Sequence, residues 1–264
     1  MTNPTLPIML ALGLLGAFTL TQTAHAQIIT VHQAADAPNA SSPTSMPGMS
    51  PVMMDQSTWL HGIFNQLEGR YSPQATDFRW DGEMWFGSDY DRLWIRSEGT
   101  VANGRMDDGQ HDILYSHAIS TYWNLQGGTR LDLDSGPTRA WAAFGVQGLA
   151  LYQFELSAMG YVGGNGGAAT RIEGTYDFLL TNRLILQPNV ELNAYTRADP
   201  SRGVGSGLSE IDTGLRLRYE HWRKLAPYVA VTYNTALGQA RHFPDNREAN
   251  RTALRFAFGL RSWF

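Results

Sequence analysis

The segment from residue 251 to residue 264 (RTALRFAFGLRSWF) alternates strictly between two kinds of side chain. The apolar parity holds Leu254, Phe256, Phe258, Leu260 and Phe264, and the other parity holds Arg255, Ala257, Gly259, Arg261 and Trp263. Because successive side chains of a strand point to opposite faces, this pattern predicts a β-strand with one apolar face. One such strand also fits a half-buried sheet of a soluble protein. Whether the strand belongs to a soluble sheet or to a membrane barrel therefore depends on whether the pattern is repeated along the chain.

The same alternation recurs along residues 62–264. Strands are predicted over 62–72, 78–87, 91–101, 111–120, 123–134, 139–149, 152–162, 171–180, 184–196, 209–220, 227–237 and 251–264. Most junctions are alternately tight and long, and a Gly- and Asp-rich external loop is expected over 102–110. Short periplasmic turns, long external loops and a final aromatic residue are typical of outer-membrane barrels.

The second face of these strands repeatedly carries Arg, Asp and Glu. A soluble barrel would have an apolar interior, whereas charges of both signs fit a polar lumen in which neighbouring strands can pair them. The chain is therefore predicted to be an all-β protein, a transmembrane outer-membrane antiparallel β-barrel of about 12 strands over residues 60–264. The expected location is the outer membrane of a Gram-negative bacterium, with outer-membrane lipid against the apolar face.

Composition excludes several other classes. After the N-terminus no run of eighteen apolar residues occurs, which argues against a helical membrane protein. The formal net charge of −4 argues against a nucleic-acid partner. With no cysteine, the chain has neither disulfide bonds nor thiolate metal ligands.

The first sixty residues differ in character from the rest. Residues 1–26 are predicted to be a signal peptide, because an apolar stretch over 6–20 precedes the small-x-small sequence Ala24-His25-Ala26. The segment before the apolar stretch departs from the usual pattern, since it contains no Lys or Arg. Residues 27–59 are rich in Pro, Ser and Asn, and are predicted to form a disordered, methionine-containing periplasmic segment.

Four methionines stand close together in that segment, namely Met46, Met49, Met53 and Met54. Thioether sulfur is a soft ligand that selects Cu(I), so the cluster predicts a copper ion as ligand, with His61 available to add imidazole. Methionine clusters also serve as adaptable apolar surfaces. The residues by themselves leave both interpretations open.

Longer blocks of the chain resemble the copper resistance protein B family. They cover residues 65–68, 81–99 (DGEMWFGSDYDRLWIRSEG), 115–132, 141–152, 176–195 and 203–220. The resemblance implies an outer-membrane protein of copper tolerance that acts beside a periplasmic multicopper oxidase and soluble copper carriers. It favours copper over the apolar-surface interpretation. Family members often carry a longer Met- and His-rich segment, so the short cluster here argues against high-capacity storage and still allows capture.

The functional hypothesis is therefore a copper resistance protein that binds copper ions in the periplasm and sequesters or exports them. The predicted metal ligands are Met46, Met49, Met53, Met54, His61 near the barrel entrance and Met159 in the lumen. Met159 shares a face with Glu155, and simple filling of the barrel interior is its alternative role. Met84 is predicted to face lipid. The alternative function is a narrow general porin or structural barrel without a metal role.

An enzyme embedded in the barrel is not expected. Such an enzyme needs a nucleophile and a base within hydrogen-bonding reach. Ser116 and His117 are neighbours on opposite faces of one strand, so they cannot pair. His117 has the parity of lipid-facing residues, which an imidazole would disfavour, and a bulge in its strand would resolve this. The remaining candidates are surface residues, with His111 and His242 at or in external loops and His221 in a periplasmic turn.

Overall fold

The computed structural model describes residues 58–73, 76–134, 137–163, 166–222, 224–243 and 253–264. The predicted signal peptide and the cluster Met46 to Met54 lie outside the described residues. The strands are β1 Trp59–Tyr71, β2 Thr76–Gly87, β3 Asp91–Ala102, β4 Arg105–Ala118, β5 Trp123–Asp132, β6 Arg139–Ala150, β7 Phe154–Gly163, β8 Ala168–Thr175, β9 Phe178–Leu179, β10 Leu184–Tyr195, β11 Gly207–Tyr219, β12 Leu225–Ala236 and β13 Ala253–Trp263. Short 3-10 helices span Leu151–Gln153, Pro200–Arg202 and Gly238–His242. Among the described residues, none of the helices is long and apolar enough to cross a membrane.

The strands form one antiparallel sheet that closes on itself. Except for β8 and β9, each strand pairs with the next along the chain, and β1 pairs with β13 to complete the ring. Strands β8 and β9 both pair with β10, so together they count as one interrupted strand of the barrel. The barrel therefore has twelve strand positions. The predicted antiparallel barrel of about twelve strands is confirmed.

Alternation along the strands sorts side chains between the outside and the lumen. On β13, Phe256 and Phe258 are 54% and 67% exposed, whereas Arg255 is 1% exposed. On β2, Met84 faces outward as predicted, while Arg79 and Asp81 face inward. The outer wall is therefore apolar and the lumen is charged, which is the arrangement that a barrel in lipid requires.

The predicted external loop over 102–110 is wrong. Strand β4 begins at Arg105, and Asn103-Gly104 alone connects it to β3. Both turn residues have positive φ, 50° at Asn103 and 72° at Gly104, as in the two-residue turns that suit the right-handed twist of a hairpin. The Gly- and Asp-rich residues continue the strand, with a bulge that pairs Thr100 with Asp108 and Val101 with Met106.

The barrel has two distinguishable ends. The end that holds Trp59 and Phe264, together with the turns around residues 88–90, 119–122, 151–153 and 180–183, is called the terminal rim. The opposite end is called the loop rim. At the terminal rim Gly62 and Phe264 exchange two backbone hydrogen bonds, of 3.0 and 2.9 Å. A Cβ on Gly62 would lie 2.5 Å from the Phe264 ring, so glycine is needed for the ring to cover this part of the seam.

The lumenal side of the same seam is packed around Tyr228. Its hydroxyl donates a 2.7 Å hydrogen bond to Glu68, which also accepts from Arg70 at 2.6 Å. The ring lies over Gly259, where a Cβ would approach to 2.5 Å. Glu68 is fully buried, so these donors compensate the loss of water around its carboxylate.

We expect Gly259→Val to destabilise the barrel by about 2 kcal/mol, because the added side chain would displace Tyr228 and break its bond to Glu68. Urea unfolding of the refolded protein, followed by tryptophan fluorescence, would measure this. Gly69→Val is the matched control, because a Cβ on outward-facing Gly69 meets no atom within 4 Å. Equal unfolding midpoints for the two variants would contradict this account of the seam.

Candidate functional site

Two chambers of the lumen are lined by described residues. The larger, called the terminal-side chamber, has a volume of about 980 Å³ and reaches the turn residues Tyr90 and Tyr122 of the terminal rim. The smaller, called the loop-side chamber, has a volume of about 370 Å³ and reaches Val204 and Arg241 at the loop rim. The two chambers therefore reach toward both rims of the described barrel.

Charged side chains separate the two chambers. Arg79, Glu98 and Glu191 line both of them, and so does Gln110. Arg79 on β2 lies 4.0 Å from Glu98 on β3 and 3.8 Å from Glu191 on β10. Because β2 and β10 are distant in the ring, the contact with Glu191 crosses the lumen.

Arg171 on β8 completes this arrangement from the other side. Its guanidinium forms a bidentate pair with Glu98, in which Nη2 donates to Oε2 at 2.8 Å and Nη1 donates to Oε1. Nη2 also donates to Glu191 at 3.1 Å, and Nη1 donates to Gln110 at 3.0 Å. Arg79, Glu98, Arg171 and Glu191 are called the ion-pair layer. Each carboxylate in it faces two guanidiniums, which is how buried charges are tolerated.

An apolar cluster fills the other sector of the lumen. It consists of Trp94, Leu114, Trp141, Ala143, Met159 and Tyr161. Guanidiniums cover two of its aromatic rings, with Arg96 over Trp94 at 5.5 Å and Arg130 over Tyr161 at 4.6 Å. Cations over ring faces are favourable because of the ring quadrupole, so these two arginines stabilise the border between the cluster and the charged part of the lumen.

Met159 lies in this cluster and is 2% exposed. Its sulfur passes close to Gly145 of β6, where a Cβ would approach to 2.5 Å. Met159 and Glu155 both line the terminal-side chamber, as their shared parity predicts. Of the methionines in the described part of the chain, Met159 alone is buried. Sequence parity thus identified the thioether that faces the lumen.

His61 lies near the start of β1, at the mouth of the terminal rim. Its ring is 5.7 Å from that of Trp85, which is in turn 6.4 Å from Trp94. These rings run from the rim toward the apolar cluster. His61 and Met159 stand on β1 and β7, on opposite sides of the ring, so the structure does not bring them into one ligand set. Within the described ranges, no group of three or more His, Cys, Asp or Glu residues could hold a metal ion.

His117 faces outward, and no bulge lies at this point of β4. Its Nδ1 is 2.7 Å from Oδ1 of Asp91, the residue directly opposite on β3, and the Tyr115 hydroxyl donates to the same oxygen. The three groups lie at the terminal rim, where polar side chains are tolerated better than at mid-height. Ser116 faces the lumen, so it cannot pair with His117.

The other histidines are dispersed. His111 lies on β4 opposite Ser97, so its predicted place at an external loop is wrong, for the same reason that the loop itself is wrong. His221 follows β11 and stacks on Tyr219 with ring centroids 5.9 Å apart. His242 ends a 3-10 helix at the loop rim. None of these positions adjoins Met159.

We expect Glu98→Gln to destabilise the protein by about 3 kcal/mol, because two guanidiniums would lose a buried partner. Asp91→Asn is the control, since the pair of Asp91 and His117 is exposed and exposed ion pairs contribute little. Urea unfolding in detergent would compare the two variants. A smaller effect for Glu98→Gln than for Asp91→Asn would show that the ion-pair layer does not stabilise the barrel.

Comparisons with known proteins give one consistent result. The sequence profile of a family described as "Copper resistance protein B precursor (CopB)" matches residues 58–264. Copper resistance protein B of Escherichia coli is 43% identical over 202 residues, covering 76% of this chain and 68% of that protein. A copper resistance protein B homolog of Pseudomonas syringae pv. tomato is 42% identical over 202 residues, covering 76% of this chain and 69% of that protein.

Among solved structures, the fold is similar to that of the NanC porin. The TM-score is 0.52 with 14% sequence identity, over 77% of this chain and 99% of that chain. At this identity the likeness concerns the fold alone. It supports the assignment of the described strands to an outer-membrane barrel.

Proposed function

This chain belongs to the copper resistance protein B family of Gram-negative outer-membrane barrels, and from that premise we propose that it binds copper ions on the periplasmic side and sequesters or exports them. Copper is the cargo in this proposal. The periplasmic multicopper oxidase and copper carriers implied by the family would be its partners. No enzymatic step is part of the proposal.

The observation that carries the proposal is the position of Met159. A buried thioether lies on the wall of the terminal-side chamber, beside the aromatic rings of Trp94, Trp141 and Tyr161. Thioether sulfur is a soft ligand that selects Cu(I). A soft ion such as Cu(I) therefore has a sulfur ligand at this place, which a hard divalent ion does not prefer.

We assign the terminal rim to the periplasmic side, because short turns face the periplasm in outer-membrane barrels. The terminal-side chamber would then open toward the compartment in which copper is captured. His61 would contribute imidazole at its mouth. Met46, Met49, Met53 and Met54 would supply soft sulfur ligands in the predicted periplasmic segment, outside the described residues, and they are proposed to act in capture.

A narrow porin is the second candidate, favoured by the likeness of the fold to a porin. It needs a continuous aqueous path along the lumen. The ion-pair layer between the two chambers stands against that function, because its side chains bridge opposite walls. Copper binding separates the two candidates, since a general porin has no reason to retain the ion.

The test is Cu(I) binding to the detergent-purified protein under reducing conditions, compared with Cu(II) under oxidising conditions. One variant changes Met46, Met49, Met53 and Met54 to Leu, and a second changes Met159 to Leu. Leucine keeps size and apolarity, so each folded state should change by less than about 1.5 kcal/mol. We expect the first variant to lose Cu(I) capture and the second to lose the remaining lumenal Cu(I).

Met84→Leu is the matched control, because Met84 faces lipid and should not contribute to Cu(I) binding. Cu(I) binding that is the same in all three variants and in the native protein would refute the assigned ligands. A native protein that binds neither Cu(I) nor Cu(II) would refute the proposed function and leave the narrow porin in its place.

A further inference from the structure

We propose that the ion-pair layer is a gate, which closes the lumen at rest and gives a cation-selective passage when its guanidiniums move aside. This goes beyond copper binding, because it concerns the passage of any small cation. It follows from how the two chambers meet, how firmly each arginine is held, and which charges remain once the arginines are displaced.

The chambers meet at a small set of side chains. Arg79, Glu98 and Glu191 belong to the walls of both, and the fourth shared residue, Gln110, accepts a hydrogen bond from Arg171. An ion that moves from one chamber to the other must therefore pass between these groups. The apolar cluster packs on the wall formed by β3, β4, β6 and β7.

The two arginines differ in how firmly they are held. Arg171 forms a bidentate pair with Glu98 and a 3.1 Å bond to Glu191. Arg79 has only longer contacts in the layer, 3.8 Å to Glu191 and 4.0 Å to Glu98. Bidentate pairs of this kind are the stronger ones, so Arg79 is the side chain that moves first.

The charges around the layer determine what could pass. Asp81 stands directly opposite Glu98 in the register of β2 and β3, and Asp212 lies 3.9 Å from Arg79. Glu173 pairs with Arg171 at 2.6 Å on the terminal side. If the guanidiniums move away, the passage is surrounded by carboxylates, and rings of acidic side chains select cations.

The experiment is conductance of the full-length protein in planar bilayers in KCl without copper. We expect the native protein to be closed and the variant R79Q/R171Q to conduct about ten times more or better, with K⁺ preferred over Cl⁻ in a salt gradient. R130Q is the matched control, because Arg130 pairs with Asp132 and stacks on Tyr161 but is not among the described residues that line either chamber. It should stay closed.

The charge-opposite variant E98Q/E191Q removes the carboxylates and leaves the guanidiniums. Any current through it should prefer K⁺ less strongly than the current through R79Q/R171Q does, which distinguishes a charge gate from simple loosening of the barrel. Folding of every variant is checked by its heat-dependent migration on a denaturing gel. If the double arginine variant does not fold, the single variant R79Q is used for the conductance test. Arg79 makes the weakest contacts in the layer, so its replacement should disturb folding least.

Three outcomes overturn the proposal. The first is a native protein that conducts as well as R79Q/R171Q. The second is an arginine variant, R79Q included, that folds and stays closed. The third is an arginine variant that opens but shows no preference for K⁺ over Cl⁻. Because none of these measurements involves copper, failure of the gate leaves the proposed copper function standing, and failure of copper binding leaves the gate standing.

Discussion

Hydrocarbon offers no hydrogen-bond partner, and this constraint governs the whole molecule. Every strand needs two neighbours, so the sheet must close, and β1 must find β13. The same constraint sorts the side chains. A slip of one residue along β13 would place Arg255 and Arg261 in lipid, where an arginine costs from about 0–1 kcal/mol near the interfaces to about 2–4 kcal/mol at the midplane. The register of the strand is therefore determined by the cost of placing arginine in lipid as well as by the gain from placing apolar side chains there.

Once the charges are inside, they must find one another. Two kinds of packing in the lumen bring these charges to their partners. On one side, guanidiniums and carboxylates from β2, β3, β8 and β10 meet in the ion-pair layer. On the other side, Trp94, Trp141 and Met159 pack as they would in a soluble core, with arginines over the exposed ring faces. A barrel of twelve strands is narrow enough for side chains from opposite walls to touch, which the wider barrel of a large porin does not allow.

The sequence predicted the architecture well because strand parity is a local property. The alternation in β13, the outward face of Met84 and the inward face of Met159 all follow from the two-residue period of side chains along a strand. The hairpin at Asn103-Gly104 was missed, although this dipeptide is a strong turn signal, because the Gly- and Asp-rich residues around it were interpreted as a loop. The distribution of loop lengths was a weaker guide than the dipeptide itself.

Contacts across the lumen could not be predicted in the same way. Whether Arg171 reaches Glu98 depends on barrel diameter, strand tilt and stagger, which no single strand encodes. The pair of Asp91 and His117 is an intermediate case. It needs only the register of one hairpin, and that register was unknown while the β3–β4 connection was thought to be long. Correct turn chemistry would have explained an imidazole on the outer wall.

The seam between Gly62 and Phe264 also bears on the order of assembly. It joins the most distant parts of the described sequence, and loop-closure entropy makes such contacts the slowest to form. Until it forms, β1 and β13 each present an open edge, and open edges recruit other chains. The two backbone hydrogen bonds and the ring over Gly62 therefore stabilise the closed seam. Its closure removes both exposed strand edges, which would otherwise pair with other chains.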